Sequence, residues 1–260
     1  MIALASLWTW LAIGLVVIVG FCVDLVVALV TLPFDRRRVV VGRVFRFMGE
    51  LAARLNPLWQ FRVAGPAPRR IAGRTVVVSN HASQADIMLI CLLRWEMKWL
   101  SKEVLFRVPF LGWCMWLAGD VPVRRGDRES GGHALAECAT WLARDVPVMI
   151  FPEGTRSKDG QLKAFKDGAF RLALDAGADI LPLAVHGTRT ALPKASWRFG
   201  RARARVMVGT PIASAGRSVD ELKALALSQI SAMLAQLVAS ERADRGVPSA
   251  NSLDAPGRGG

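Results

Sequence analysis

Ready-made chemistry is scarce in this chain. Its four cysteines, Cys22, Cys91, Cys114 and Cys138, fall in no CxxC or other metal-binding spacing. Each stands among apolar neighbours, which reads as a small buried hydrophobe in a reducing compartment. No G-x-S-x-G elbow surrounds Ser79, Ser83 or Ser157, which argues against a serine nucleophile, and neither a P-loop nor a dinucleotide-binding glycine fingerprint is present. There is no internal repeat, and there are 3 histidines in 260 residues. Acidic side chains are outnumbered, 21 against 34 Lys and Arg, leaving a formal net charge of +13 and a pI near 10.9. That balance favours an anionic partner: nucleic acid, a lipid-headgroup surface or a phosphorylated substrate.

Charge is also missing from the N-terminus, where Asp24 is the single charged side chain between Met1 and Pro33. No Lys or Arg precedes this apolar run, it is too long for a signal-peptide core, and no small-residue cleavage site follows, so it is expected to be retained as an anchor over 1–33. As a helix it would be longer than the roughly 30 Å hydrocarbon core of a bilayer. Arg36, Arg37 and Arg38 cap its far end and put the rest of the chain in the cytoplasm by the positive-inside rule, with Trp8 and Trp10 near the other end. Asp24 fits if the segment dips into one leaflet, or if it meets Arg43 or Arg46 from the next helix. Residues 34–64 follow as a basic amphipathic segment, with arginines and apolar side chains at helical spacing, suited to a headgroup layer.

From 65 to 239 strand and helix patterns alternate. Strands are expected at 75–79, 98–102, 146–151, 179–185 and 201–209, and helices at 86–95, 129–145, 162–178 and 218–239, the last opening on a Ser218–Glu221 capping box. This rhythm predicts an α/β domain with a mainly parallel central sheet flanked by helices, preceded by the anchoring helical segment. Residues 240–260 read as a disordered tail.

In such a sheet, functional groups collect past the carboxyl ends of the strands. "VVVSNHASQAD" places His81 after a buried strand and Asp86 five positions on. Five residues span about 140° of an ideal helix, so the two meet only with His81 in the turn and Asp86 in the first helical turn behind it. There the carboxylate would hold one ring nitrogen and leave the other to take a proton; a polar turn is the bland alternative. "FPEGTRS" ends the strand at 146–151: Gly154 permits close backbone approach, Arg156 can fork onto a phosphate, and Thr155 and Ser157 add hydroxyls. Arg124 and Arg125 close the apolar run "LAGDVPVRR". His133 and His186 suggest no role.

Taken together, "NHASQAD", "KEVLFRVPFLGWCMWLAGDVPVRR", "FPEGTRS" and "LPLAVHGT" resemble, in order and spacing, the four motif blocks of the glycerolipid acyltransferases, most closely the 1-acyl-sn-glycerol-3-phosphate acyltransferases, over roughly residues 70 to 215. The resemblance implies that His81 is the catalytic base and Asp86 its orienting carboxylate. It further implies that Glu153, Gly154, Thr155 and Arg156 bind the glycerol phosphate acceptor with Arg125, or Arg124 beside it, and that Lys102 takes the place of a basic residue opening the second block. Pro182 matches the proline of the fourth block, on the acyl-donor side. The implied reaction uses lysophosphatidate in a membrane and acyl-CoA or acyl carrier protein as co-substrate, with no metal, no other cofactor and no nucleic acid. The face carrying Arg201, Arg203 and Arg205 could then meet the membrane or the donor's phosphates. A sibling enzyme acting on a lyso-ornithine lipid, a lysophospholipid or glycerol 3-phosphate, and a non-catalytic tethered binder of anionic lipid, are the competing readings. The expected location is the cytoplasmic (inner) membrane, with the catalytic domain on its cytoplasmic face.

Overall fold

The computed structural model describes residues 1–157, 160–193 and 196–244. The apolar N-terminus is one helix, α1 (Ile2–Thr31), followed by α2 (Val39–Leu55). The sheet takes β1 (Trp59–Ala64), β2 (Thr75–Ser79), β3 (Lys98–Lys102), β4 (Val121–Val123), β5 (Val148–Ile150), β6 (Asp179–His186) and β7 (Ala202–Val208). Helices α3 (Ala85–Cys91), α4 (Leu111–Ala118), α5 (Arg128–Ala143), α6 (Gly168–Asp175) and α7 (Val219–Asp244), with a short 3-10 helix at Glu103–Arg107, complete the elements.

Strand order is β1-β7-β6-β2-β5-β3-β4. The five strands from β6 to β4 run parallel, β7 is antiparallel to β6, and β1 is parallel to β7. Parallel strands covered on both faces read as continuous apolar runs, and the central ones do. Val76, Val78, Val148 and Ile180 point to one side, against Cys138 and Leu142 of α5, Phe170 of α6 and Ile230 of α7. Val77, Met149, Leu181 and Leu183 point to the other, against Leu89 and Ile90 of α3 and the rings of Trp95 and Trp99. Beyond α3 on that side lie α2, then α1 and α4.

Three boundaries differ from the sequence reading. The segment expected to be interfacial ends as a helix at Leu55, and its last residues give the sheet its edge strand, β1. Arginines at 54 and 62 and the polar Gln60 mask that strand's alternation, whose inward residues are Trp59 and Phe61. At the other end, α7 continues through 240–244, and the rest of the expected tail, 245–260, lies outside the described residues. The helix expected over 162–178 is confined to Gly168–Asp175. The stretch before it is drawn against the 151–157 turn, where the Lys166 N–H donates to the Pro152 carbonyl at 2.9 Å.

α1 and α7 are both long and apolar enough to cross a membrane, but they are packed differently. Leu222, Ala226, Ile230, Met233 and Leu237 form one buried stripe of α7 in the main core, the pattern of an amphipathic core helix. α1 buries Ser6, Thr9, Ala12, Gly20, Asp24 and Ala28 against the protein and exposes Leu4, Leu11, Leu15, Val26 and Leu29. This apolar outer face suits association with a membrane. Cys22 on α1 is exposed, unlike the three buried cysteines and unlike the sequence expectation.

If α7 is a core helix, Ile230→Ala should cost about 2–5 kcal/mol of stability, read as a shift of the urea midpoint in detergent. A midpoint that does not move would place α7 outside the core.

Candidate active site

β2, β5 and β6 finish at one edge of the sheet, because Val78 stands beside both Ile150 and Pro182. The three loops leaving that edge make the site. Asn80 extends the β2–β6 pairing past the strand end: its amide donates to the Val185 carbonyl at 2.9 Å and its amide oxygen accepts the Val185 N–H at 2.9 Å. His81 therefore leaves the sheet from a fixed backbone.

The His81 ring is 2% exposed, lies flat on Phe151 with centroids 4.1 Å apart, and has Nδ1 2.8 Å from Oδ2 of Asp86. Asp86 stands in the first turn of α3, as the spacing argument required. Its Oδ2 also accepts the N–H groups of Ala82 at 2.7 Å and Ser83 at 2.9 Å, and its Oδ1 accepts the Thr188 hydroxyl. A carboxylate so supplied with donors is held in one orientation. With Nδ1 donating to it, Nε2 of His81 is the basic nitrogen.

The 151–157 turn closes over this pair. Glu153 Oε1 accepts the His81 N–H at 2.9 Å, and the Ser157 N–H donates to the His81 carbonyl at 2.8 Å. Glu153 is buried and its Oε2 has no hydrogen-bond partner among the described residues. Burial pushes its carboxyl up to about 7, against the opposing pull of the His81 N–H and of Lys163. Gly154 sits at φ +70°, and a Cβ there would stand 3.0 Å from the Lys166 ammonium. Thr155 accepts a hydrogen bond from Lys163 Nζ at 2.7 Å.

The two adjacent arginines line one cavity but differ in their partners. Arg124 is tied to Glu103 at 3.0 Å and Asp127 at 3.3 Å. Arg125 has no carboxylate within ion-pair distance among the described residues; desolvation and then the like charge of Arg156 lower its guanidinium pKa. A cavity of about 190 Å³ brings Arg125 together with Phe151, Gly154 and Lys166. Lys102 ends β3 at the same sheet edge, exposed and outside that cavity. An apolar cavity of about 210 Å³ begins on the other side of the His81 loop, at Gln84 and Ile87, and runs between α1 and α2 along Ile13 and Met48.

Sequence reasoning missed Lys163, Lys166, Phe151 and Thr188. The first two were absorbed into a helix pattern that the chain does not adopt. Thr188 touches Asp86 from 102 positions away. His186 pairs with Glu241 at 2.8 Å and His133 lies on an exposed helix face near Glu129.

Comparison with known proteins now has a geometry to stand on. The family model described as Acyltransferase matches residues 60–186, the span from β1 to the end of β6. Residues 60–186 form an acyltransferase-family domain. Among relatives, a 1-acyl-sn-glycerol-3-phosphate acyltransferase of Chlamydomonas reinhardtii is 34% identical over 66% of this chain and 52% of its own length. One of Haemophilus influenzae is 28% identical, over 72% of this chain and 77% of its own. The chain thus spans about half the length of the algal relative. The crystal structure of a 1-acyl-sn-glycerophosphate (LPA) acyltransferase, PlsC, from Thermotoga maritima superposes with a TM-score of 0.77 at 26% identity, covering 91% of this chain and 96% of that one. The acyltransferase fold, a mostly parallel sheet behind an apolar N-terminal helix, is therefore shared over nearly the whole chain.

The raised Glu153 carboxyl has a measurable consequence. A carboxyl whose folded pKa lies above its unfolded value binds protons more tightly when folded, so its contribution to stability falls as pH rises from the ordinary glutamate range to about 7. Glu153→Gln should abolish that decline. Urea-midpoint series for the two proteins should converge towards low pH, with the variant gaining on the parent through this window. A constant offset would mean that Glu153 ionises normally.

Proposed function

We propose that this acyltransferase moves an acyl chain from a thioester, acyl-CoA or acyl carrier protein, to the sn-2 hydroxyl of 1-acyl-sn-glycerol 3-phosphate, giving phosphatidic acid for phospholipid synthesis. The observation that carries the reading is the buried His81–Asp86 pair at 2.8 Å beside Arg125 and Arg156, which have no carboxylate partner among the described residues. Nε2 of His81 takes the proton of the acceptor hydroxyl as its oxygen attacks the thioester carbonyl. The tetrahedral adduct collapses to the ester, and the same proton goes to the departing thiol. The acceptor oxygen is itself the nucleophile, so no acyl-enzyme forms, which accords with a site that has no serine elbow. Arg125, Arg156 and Lys166 neutralise the acceptor's phosphate and position its hydroxyl. Glu153, Gly154 and Thr155 shape the turn that receives the glycerol. The apolar cavity at Gln84 and Ile87 has the lining for an acyl chain. No step is assigned to a metal or redox cofactor.

The anchor suits a substrate that resides in the bilayer. Docking runs along α1: Ser6 accepts from the Phe199 N–H at 3.0 Å, the Trp8 indole donates to the Leu55 carbonyl at 3.0 Å, and Phe21 packs on Phe110 and Trp113. A helix held along its length by the domain supports sinking into one leaflet, with the catalytic domain on the cytoplasmic face of the inner membrane. Arg43 and the exposed Phe47 of α2 would lie at the headgroups.

Thiol release from acyl-CoA with lysophosphatidate as acceptor tests the reading directly. His81→Ala should lower the rate by about 10²–10⁴-fold; a rate that survives would remove His81 from the chemistry. Turnover with lyso-ornithine lipid alone would keep the mechanism and replace the acceptor. Arg125→Ala should raise the KM for lysophosphatidate about tenfold, whereas Arg124→Ala, removing an exposed ion pair, should change it by less than about threefold. The reverse order would assign the phosphate to Arg124.

A further inference from the structure

The acceptor-side cations lie on the β5 side of His81. The opposite side holds a second basic cavity, of about 730 Å³, which the reaction outlined above leaves unused. It extends from Ala82, the residue after His81, to Arg201 and Arg203, with Leu58, Arg189 and Leu234 among its walls. Topology puts it there. β7 is antiparallel to β6, so its first residues lie at the edge where β2 and β6 end. A Cβ on Gly187 would stand 2.0 Å from the Arg203 carbonyl oxygen, so β7 is pressed against the residue preceding Thr188, which holds Asp86.

Arg201 and Arg203 alternate with the buried Ala202 and Ala204 and face one way. The adjacent β1 sets Gln60 opposite Arg203 and Arg62 opposite Arg205. Arg205 is neutralised by Asp244, and the carboxylate in the cavity, Glu241, is engaged by His186 at 2.8 Å. Arg62, Arg201 and Arg203 have no carboxylate partner among the described residues. Guanidiniums gathered around a cavity whose carboxylate, Glu241, is already held by His186 attract an anion bearing several charges.

We propose that this cavity binds the coenzyme A portion of the acyl donor, with Arg201 and Arg203 on its phosphates and the pantetheine arm passing Ala82 to bring the thioester carbonyl to His81. The inference rests on the acyl-transfer reading and adds the donor's identity and path. Charge favours coenzyme A over a protein carrier: its diphosphate and ribose phosphate match a row of guanidiniums, whereas a carrier protein's arm brings a single phosphodiester. Two phosphorylated substrates then approach one histidine from opposite sides, and their charges do not repel each other in a shared pocket.

The test is kinetic and uses the full chain in detergent. Arg201→Gln and Arg203→Gln, singly and together, should raise the KM for acyl-CoA, about tenfold or more for the double variant. The rise should be confined to the phosphorylated donor, with the KM for acyl-pantetheine and for lysophosphatidate unmoved. Calorimetry with desulfo-coenzyme A reads the site without turnover and should show the same loss of affinity. An unaltered KM and affinity, or an equal rise for acyl-pantetheine, would overturn the proposal. So would a parent protein that uses acyl carrier protein thioesters but neither turns over acyl-CoA nor binds desulfo-coenzyme A. Loss of binding to anionic phospholipid vesicles with acyl-CoA kinetics unchanged would make these arginines headgroup ligands instead. If the parent transfers no acyl chain yet binds desulfo-coenzyme A through Arg201 and Arg203, the cavity assignment stands and the acyl-transfer reading falls.

Discussion

A single buried carboxylate organises this active site. Asp86 has no solvent exposure, and a charge in that position is tolerable when donors replace the water it has lost. It receives one donor from the histidine ring, two from the backbone of the β2–α3 turn and one from Thr188 on the β6 exit. Each of these fixes something else. The ring bond sets which histidine nitrogen is basic. The backbone bonds give the turn its curvature, and Thr188 locks the neighbouring loop to it. A change that removed the carboxylate would leave these donors buried and unpaired, so the site is polarised and shaped by the same group.

The sheet topology then decides what surrounds the base. Because β5 and β6 both run parallel to β2, their loops emerge at the histidine's edge, one on each side. β7 reverses and returns to that edge with its arginines. The result is a base with a cluster of cations to either hand and an apolar cavity behind its loop. The ester-forming reaction proposed above, between two amphiphiles that each carry phosphate, would need these surroundings: separate places for the charges, a dry place for hydrocarbon and one proton acceptor between them.

Much of this was legible in the chain because the decisive contacts are local. His81 and Asp86 are five positions apart, and the spacing alone required a turn followed by a helix, which is what forms. Glu153, Gly154 and Arg156 are likewise contiguous, ending a strand that is plainly apolar. The illegible part is long-range. Nothing near Thr188 announces that it will meet Asp86, and Phe151 reads as the last core residue of a strand although its ring is the floor for His81. Lys163 and Lys166 were concealed by a helical pattern that gives way where the backbone of Lys166 bonds to Pro152. The strand at 59–64 escaped notice because Gln60 and Arg62, suited to a membrane surface, occupy its exposed positions. The Arg124–Arg125 ambiguity could be resolved only by seeing which one Glu103 and Asp127 claim.

The anchor and the base are also mechanically joined. Arg46, which the sequence offered either to the headgroups or to Asp24, is turned inward from α2 and pairs with Asp120, within 4.0 Å of Glu96. Asp120 in turn accepts the Trp99 N–H at 3.0 Å, Trp99 packs against Phe151 with centroids 6.1 Å apart, and Phe151 carries the His81 ring. A buried ion pair is a poor source of stability, since desolvation offsets most of the attraction, and well-packed apolar side chains would serve as well. What it supplies is register. An apolar helix could slide along an apolar surface at little cost, whereas Arg46 has one position in which its charge is met. Sliding α2 by a turn would strand both charges, so α1 and α2 keep a constant separation from His81. For the reaction proposed above, in which the acceptor hydroxyl lies at a set depth in the headgroup layer, that separation decides whether the base can reach it.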